Sequence, residues 1–198
     1  MFGKKNNIEN SLQDSIKAKI SLIEIQNEIN KSIQLIYKKL INGGKVILCG
    51  NGGSAADAQH LAAEFLVRLR PKVNRHSIPA ITLATDSSTI TACGNDYSFD
   101  DLFSRNLSSL GSKKDVLIAI STSGNSNNVI KALKVARNKK ISTIGFLGCK
   151  GGKMKKLCDI PLIVNHDVTA RIQEAHIFLG HHIFESVENL LITKTKYF

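Results

Sequence analysis

His60 and Glu64 stand four residues apart. On a helix their imidazole and carboxylate leave the same face, close enough to share one metal ion or one substrate. Just upstream, Gly50-Asn51-Gly52-Gly53-Ser54 leaves the apolar run Val46-Ile47-Leu48 and opens into that helix. This is the kind of turn on which α/β proteins hold anions. Gly52 and Gly53 permit tight backbone geometry, and Ser54 is expected as the N-cap, with Asp57 completing a capping box. A second loop, Ser121-Thr122-Ser123-Gly124-Asn125-Ser126, follows the apolar run Val116 to Ile120 and precedes another helical stretch. Its hydroxyls and backbone amides can hold a phosphate without using a lysine. Each feature also has a plainer reading. An exposed i, i+4 pair is worth about 0.2 to 0.5 kcal/mol and nothing more, and a Ser/Thr-rich turn can be only a helix cap.

The elements that must position these loops follow from the pattern after Lys45. Strands are expected at 45–49, 79–84, 115–120, 141–146 and 159–164, alternating with helices near 54–70, 100–110, 126–139 and 168–192. The strands are short and apolar on both faces, which predicts an α/β fold: three layers, with a parallel five-stranded sheet flanked by helices in a flavodoxin-like or Rossmann-like arrangement. Ligands bind such sheets at the carboxyl ends of the strands, where both loops fall. Before the first strand, Ile8, Leu12, Ile16, Ile20, Ile23, Ile29, Ile33, Ile36 and Leu40 recur at helical spacing up to Asn42-Gly43-Gly44. This is one long helix or two. Having no sheet of its own to cover, part of its stripe is expected to pack on another subunit. The whole reads as one domain over 1–198, with N-terminal helices over 1–41 and the parallel core over 45–192.

Composition bounds the function. The chain has 198 residues, 42% of them hydrophobic and 22% charged, enough for one domain with a real core. Runs such as Val116 to Ile120 and Ile160 to Val164 fall far short of the roughly 20 residues that span a bilayer. No apolar segment follows the polar N-terminus, so a cytoplasmic protein without a membrane partner is expected. Cys49, Cys93, Cys149 and Cys158 form no Cys-x-x-Cys pair and read as reduced, mostly buried thiols. The formal net charge is +11, but the lysines are dispersed, from Lys4-Lys5 to Lys194-Lys196, with no interleaved aromatics. That is a basic surface suited to anionic metabolites rather than a nucleic-acid site.

Gly50 to His60, the Ser121 to Ser126 loop, and Arg171-Ile172-Gln173-Glu174-Ala175-His176 followed by His181 together resemble the sugar isomerase (SIS) family. Within it, the joint occurrence of His60, Glu64, Gln173 and His181 is similar to the phosphoheptose isomerases. The resemblance implies an aldose-ketose isomerase acting on sedoheptulose 7-phosphate, at the entry to ADP- or GDP-heptose precursors. By the same resemblance Ser121, Thr122, Ser123 and Ser126 grip the phosphate. Asn51, Gly52, Gly53, Ser54, Asn95 and Asp96 contact the sugar, and His60, Glu64 and Gln173 also bind substrate. The family's zinc ion would be held by His60, Glu64, Gln173 and His181, and its homotetrameric assembly is implied here too.

Moving a carbonyl between C2 and C1 requires a base at the carbon beside it, a stabiliser for the enediolate and an acid. Glu64 is the natural base, and His181 the natural acid or second base. A zinc ion could polarise the oxygens. Gln173 and His181 are separated by a helical rise of roughly 12 Å, long for two ligands from one copy. The expectation is a site shared between subunits, with the C-terminal helix of one chain approaching the His60 helix of another. Two other SIS roles compete: a non-catalytic protein that binds the bacterial replication initiator, and an enzyme acting on a different sugar phosphate. Neither calls for the full set of four.

Overall fold

Each buried strand carries apolar side chains on both faces because both faces of the sheet are covered. The computed structural model describes residues 7–83 and 86–195. Ala84, the last residue of the second expected strand, and Lys4, Lys5 and Lys196 lie outside them. The order is α1 (Ile8–Ile20), α2 (Gln26–Ile41), β1 (Val46–Cys49), α3 (Gly53–Leu66), β2 (Ala80–Thr82), α4 (Ser87–Asp96) and α5 (Leu102–Leu110). Then come β3 (Val116–Ser121), α6 (Asn127–Asn138), β4 (Ser142–Gly148), β5 (Ile160–Val164) and α7 (Thr169–Lys194). The strands form one parallel sheet in the order β2-β1-β3-β4-β5, as the alternating pattern predicts.

Alternate strand residues feed two cores. Val46, Leu48, Val116 and Ile118 join α2, α3 and α7 on one side, while Ile47, Cys49, Leu117 and Ala119 join α5 and α6 on the other. The N-terminal stretch is two helices with a 3-10 turn between them (Ser21–Ile25). It divides in a way the sequence reading missed. Ile29, Ile33 and Ile36 of α2 are buried against this chain's own core, so part of the stripe does have a sheet and helices to cover. In α1 and the turn after it, Ile8, Leu12, Ile16, Ile20 and Ile23 remain 47 to 83% exposed.

Local features around the site also differ. α3 stops at Leu66, not residue 70, because its C-terminal carbonyls turn to other donors. α4 was not expected at all: Ser-Ser-Thr-Ile-Thr-Ala-Cys-Gly-Asn-Asp is poor in helix formers and apolar residues. It is started by Asp86, whose side chain accepts from the Thr89 amide at 2.7 Å. Finally, Ser54 is not the N-cap. Gly52, at φ 55°, takes that place, α3 begins at Gly53, and Ser54 is buried. No capping box forms, and Asp57 keeps one buried oxygen without a partner.

Candidate active site

β1 and β3 are neighbours, yet the chain leaves them in opposite directions, through α3 to β2 and through α6 to β4. The reversal opens a crevice at the carboxyl ends of these two strands, where doubly wound sheets bind ligands. Both loops singled out in the sequence rim it. After β1, Gly50 packs its backbone against Ser54, no side chain caps α3, and the Gln173 side chain lies against Gly53, its first residue. After β3, Ser121 Oγ lies 2.9 Å from Ser126 Oγ and accepts from the Gly124 amide at 3.1 Å. Ser123 Oγ accepts from the Asn125 amide at 3.2 Å. Asn125 Oδ1 in turn accepts from the Lys153 amide at 3.0 Å, bracing the loop from the far side. Gly124, at φ 65°, presses so closely on Gly151 that no side chain fits. Ser126 gives α6 no side-chain cap, and Asn128 Oδ1 takes the Val129 amide at 2.9 Å, so the Asn127 and Asn128 amides are those that can face an anion.

The two loops are fastened to each other by a residue that the sequence reading did not pick. Asn51 Nδ2 donates to Asn128 Oδ1 at 2.9 Å, and Asn128 Nδ2 donates to Asn51 Oδ1 at 2.8 Å. Asn128 is 2% exposed. Seventy-seven positions separate the pair, so no local pattern could have revealed it.

Two turns along α3 from the first loop, His60 and Glu64 meet His181 of α7. His60 Nε2 lies 2.9 Å from His181 Nε2 and 3.3 Å from Glu64 Oε1, and one ligand atom from each of the three falls within 4.8 Å of the others. All three belong to one chain, which corrects the expectation that His60 and His181 come from different subunits. The reason is that α3 and α7 run side by side. Gly180 packs on Leu61 with no room for a Cβ, and Phe65 stacks on Phe184 at 3.8 Å between ring centroids. Burial pushes the His181 imidazole below its ordinary pKa. His60 pushes the same way, and Glu64 opposes. His181 is therefore neutral at pH 7 and can accept a proton. Asp57 shifts up, chiefly from burial, with His60 opposing.

Gln173 is held apart from this cluster. Its amide lies against Gly53 at the start of α3, about 12 Å of helix rise from His181, beside the loop assigned to the sugar. Asn95 and Asp96 sit exposed at the end of α4, where Asn95 Nδ2 donates to Asp96 Oδ1 at 2.7 Å.

Whether a zinc ion suits this chain can be judged from the cluster itself. Glu64 Oε2 is buried with no hydrogen-bond partner, a costly state that a cation would relieve. Two imidazole nitrogens and a carboxylate are zinc's usual donors. The residues fit the ion.

Residues 12–148 match the family model of the SIS domain. A phosphoheptose isomerase from Aliarcobacter butzleri is 52% identical over 167 residues, which is 84% of this chain and 87% of that one. The chain belongs to the phosphoheptose isomerase branch of the SIS family. A phosphoheptose isomerase from Clostridium acetobutylicum is 46% identical over 94% of this chain and 96% of its own. Among solved structures, the phosphoheptose isomerase of Neisseria gonorrhoeae superposes with a TM-score of 0.85 at 41% identity, covering 92% of this chain and 97% of that one. The matched region ends at the close of β4, so His181 lies beyond the matched residues.

Proposed function

We propose that this protein interconverts sedoheptulose 7-phosphate and D-glycero-D-manno-heptose 7-phosphate through an enediolate. The observation that carries this reading is the convergence of His181 of α7 on His60 and Glu64, which stand on the helix that leaves the first anion loop. The relatives' common name gives the substrate class.

Ser121, Thr122, Ser123 and Ser126, with the first amides of α6, hold the phosphate. Asn51, Gly52, Gly53, Ser54 and Gln173 line the sugar, and Asn95 and Asp96 are assigned to it from the resemblance alone. Glu64 takes the proton from C1 of the ketose and returns it to C2. His181, neutral before reaction, takes a proton from O1 and delivers one to O2. The sum moves two hydrogens, from C1 and O1 to C2 and O2, and leaves both side chains as they began. Proton transfers of this kind each contribute roughly 10² to 10⁴ in rate. A zinc ion held by His60, Glu64 and His181 would supply a Lewis acid to polarise the carbonyl in place of the His181 proton transfer, because a ligating imidazole has no lone pair left for a proton.

The exposed α1 stripe supports a subunit interface, and a homotetramer is the proposed assembly. Among the described residues no helix is long and apolar enough to cross a membrane; a cytoplasmic enzyme is proposed. The test is to incubate purified protein with sedoheptulose 7-phosphate and follow aldose formation, with metal content and rate measured before and after chelation. No aldose product would remove the isomerase reading, and full activity in metal-free protein would remove zinc.

A further inference from the structure

We propose that Arg75 is a positioning residue that fixes Glu64 by capping the end of α3 and tying it to α7; this rests on the isomerase reading of the same site. The last carbonyls of a helix have no partners within it. Here Arg75 Nη2 donates to the Glu64 carbonyl at 2.7 Å and Nη1 to the Phe65 carbonyl at 2.9 Å. Both bonds come from one planar group, which holds the two carbonyls at a set spacing as a lysine ammonium could not. A further bond from Nη1 to the His76 carbonyl at 2.9 Å closes the loop that carries Arg75.

The remaining edge of the guanidinium faces α7. Arg75 Nε donates to Glu188 Oε1 at 2.5 Å, and Arg70 Nε donates to Glu188 Oε2 at 2.7 Å. Both side chains of the Arg75–Glu188 pair are 1% exposed. Glu188 lies two turns beyond His181 on α7, so one guanidinium joins the residue bearing the base to the helix bearing its partner. The Phe65–Phe184 stack lies between these attachments and resists separation of the helices. Rotation of α3 about its own axis would carry Glu64 away from His181, and the Arg75 bonds to two successive carbonyls oppose that rotation. Buried ion pairs add little net stability over apolar packing. What this one adds is orientation.

The experiment compares Arg75→Lys, Arg75→Met, Arg70→Gln and a distant control, Ile33→Ala in α2, by thermal unfolding and by kcat and KM for sedoheptulose 7-phosphate. Arg75→Lys keeps the charge against Glu188 but loses the fork. It is expected to recover most of the Tm lost in Arg75→Met while kcat stays at least about tenfold below wild type, since small misplacements of a reacting group cost this much or more. KM should stay within about threefold, because the phosphate loop is untouched. Arg70→Gln, at the partly exposed end of the network, should fold and lower kcat by a smaller factor. Ile33→Ala should lose Tm and keep kcat. The inference is overturned if kcat simply follows Tm across the set, or if kcat is normal in every folded Arg75 and Arg70 variant. An inactive wild type would instead discard the isomerase reading.

Discussion

Asn128 offers the sharpest test of how the crevice works, because two substitutions there separate stability from binding. Asn128→Ala removes both amide bonds to Asn51 and the bond from the Val129 amide to Asn128 Oδ1 at 2.9 Å. Asn51 is partly exposed and regains water, whereas the Val129 amide is buried. The sum is about 2 to 3 kcal/mol, taking roughly 1 kcal/mol per net bond and the higher end for the stranded amide. For a chain of this size that lowers Tm by roughly 4 to 12 °C. Asn128→Asp differs. A carboxylate keeps the acceptor for the Val129 amide and gains about 0.3 to 1 kcal/mol in the first turn of a helix, against about 1 kcal/mol for the lost donor to Asn51 Oδ1 and the cost of burying its charge, so KM rather than Tm is its distinguishing readout. It sets a negative charge beside the phosphate. Unit charges about 8 Å apart repel by about 2 kcal/mol at an effective dielectric constant near 20, which is close to thirtyfold in KM. Calorimetry and steady-state kinetics measure the two effects. A wild-type KM for Asn128→Asp would refute the placement of phosphate at α6, and strict additivity in a cycle with Asn51→Ala would refute the coupling of the loops.

Four further outcomes are expected. Glu64→Gln should bind substrate with little change in KM and lose about 10² to 10⁴ in kcat, read from single-turnover and steady-state rates. Ser123→Ala should cost roughly 1.5 to 3 kcal/mol of phosphate binding, seen as about a tenfold or greater drop in kcat/KM. Mixed oligomers of a His60→Ala chain and a His181→Ala chain should regain no activity, since both histidines serve the same chain's site; recovery would place them across an interface. His176 is buried, and its burial pushes the pKa down to about 4, only partly offset by the Leu147 backbone. The unfolded chain takes a proton near pH 6.5 and the folded one does not, so stability should fall by about 3 kcal/mol as pH drops from 6.5 to 4. Urea titrations of His176→Gln should lack that slope.

The sheet was legible because β1, β3 and β4 are short apolar runs, each ending in glycine, serine or both, and such runs have few alternatives. The anion loops were legible for the same reason: their residue types announce unusual backbone. What escaped were arrangements that only tertiary contact creates. Ser54 has the chemistry of a cap, but Gly52 at positive φ takes the cap two residues earlier and leaves Ser54 buried in the first turn. α4 has no apolar period to detect. The helical rise of roughly 12 Å between Gln173 and His181 invited a partner chain, whereas the parallel course of α3 and α7 brings His60 and His181 together within one. Asn128 and Arg75 act across tens of residues or around a loop, and neither carries a local sign.

The position of α7 after both anion loops orders events during synthesis. Chains emerge N-terminus first and fold as they do, so β1, β3 and both anion loops exist before His181 leaves the ribosome. A nascent chain halted after β5 would own a complete phosphate cradle and no acid-base pair. It would also leave Leu61 and Phe65 bare where Gly180 and Phe184 belong. Proton transfer therefore switches on only when α7 seats, and catalytic competence doubles as a report that the chain has been made at least that far.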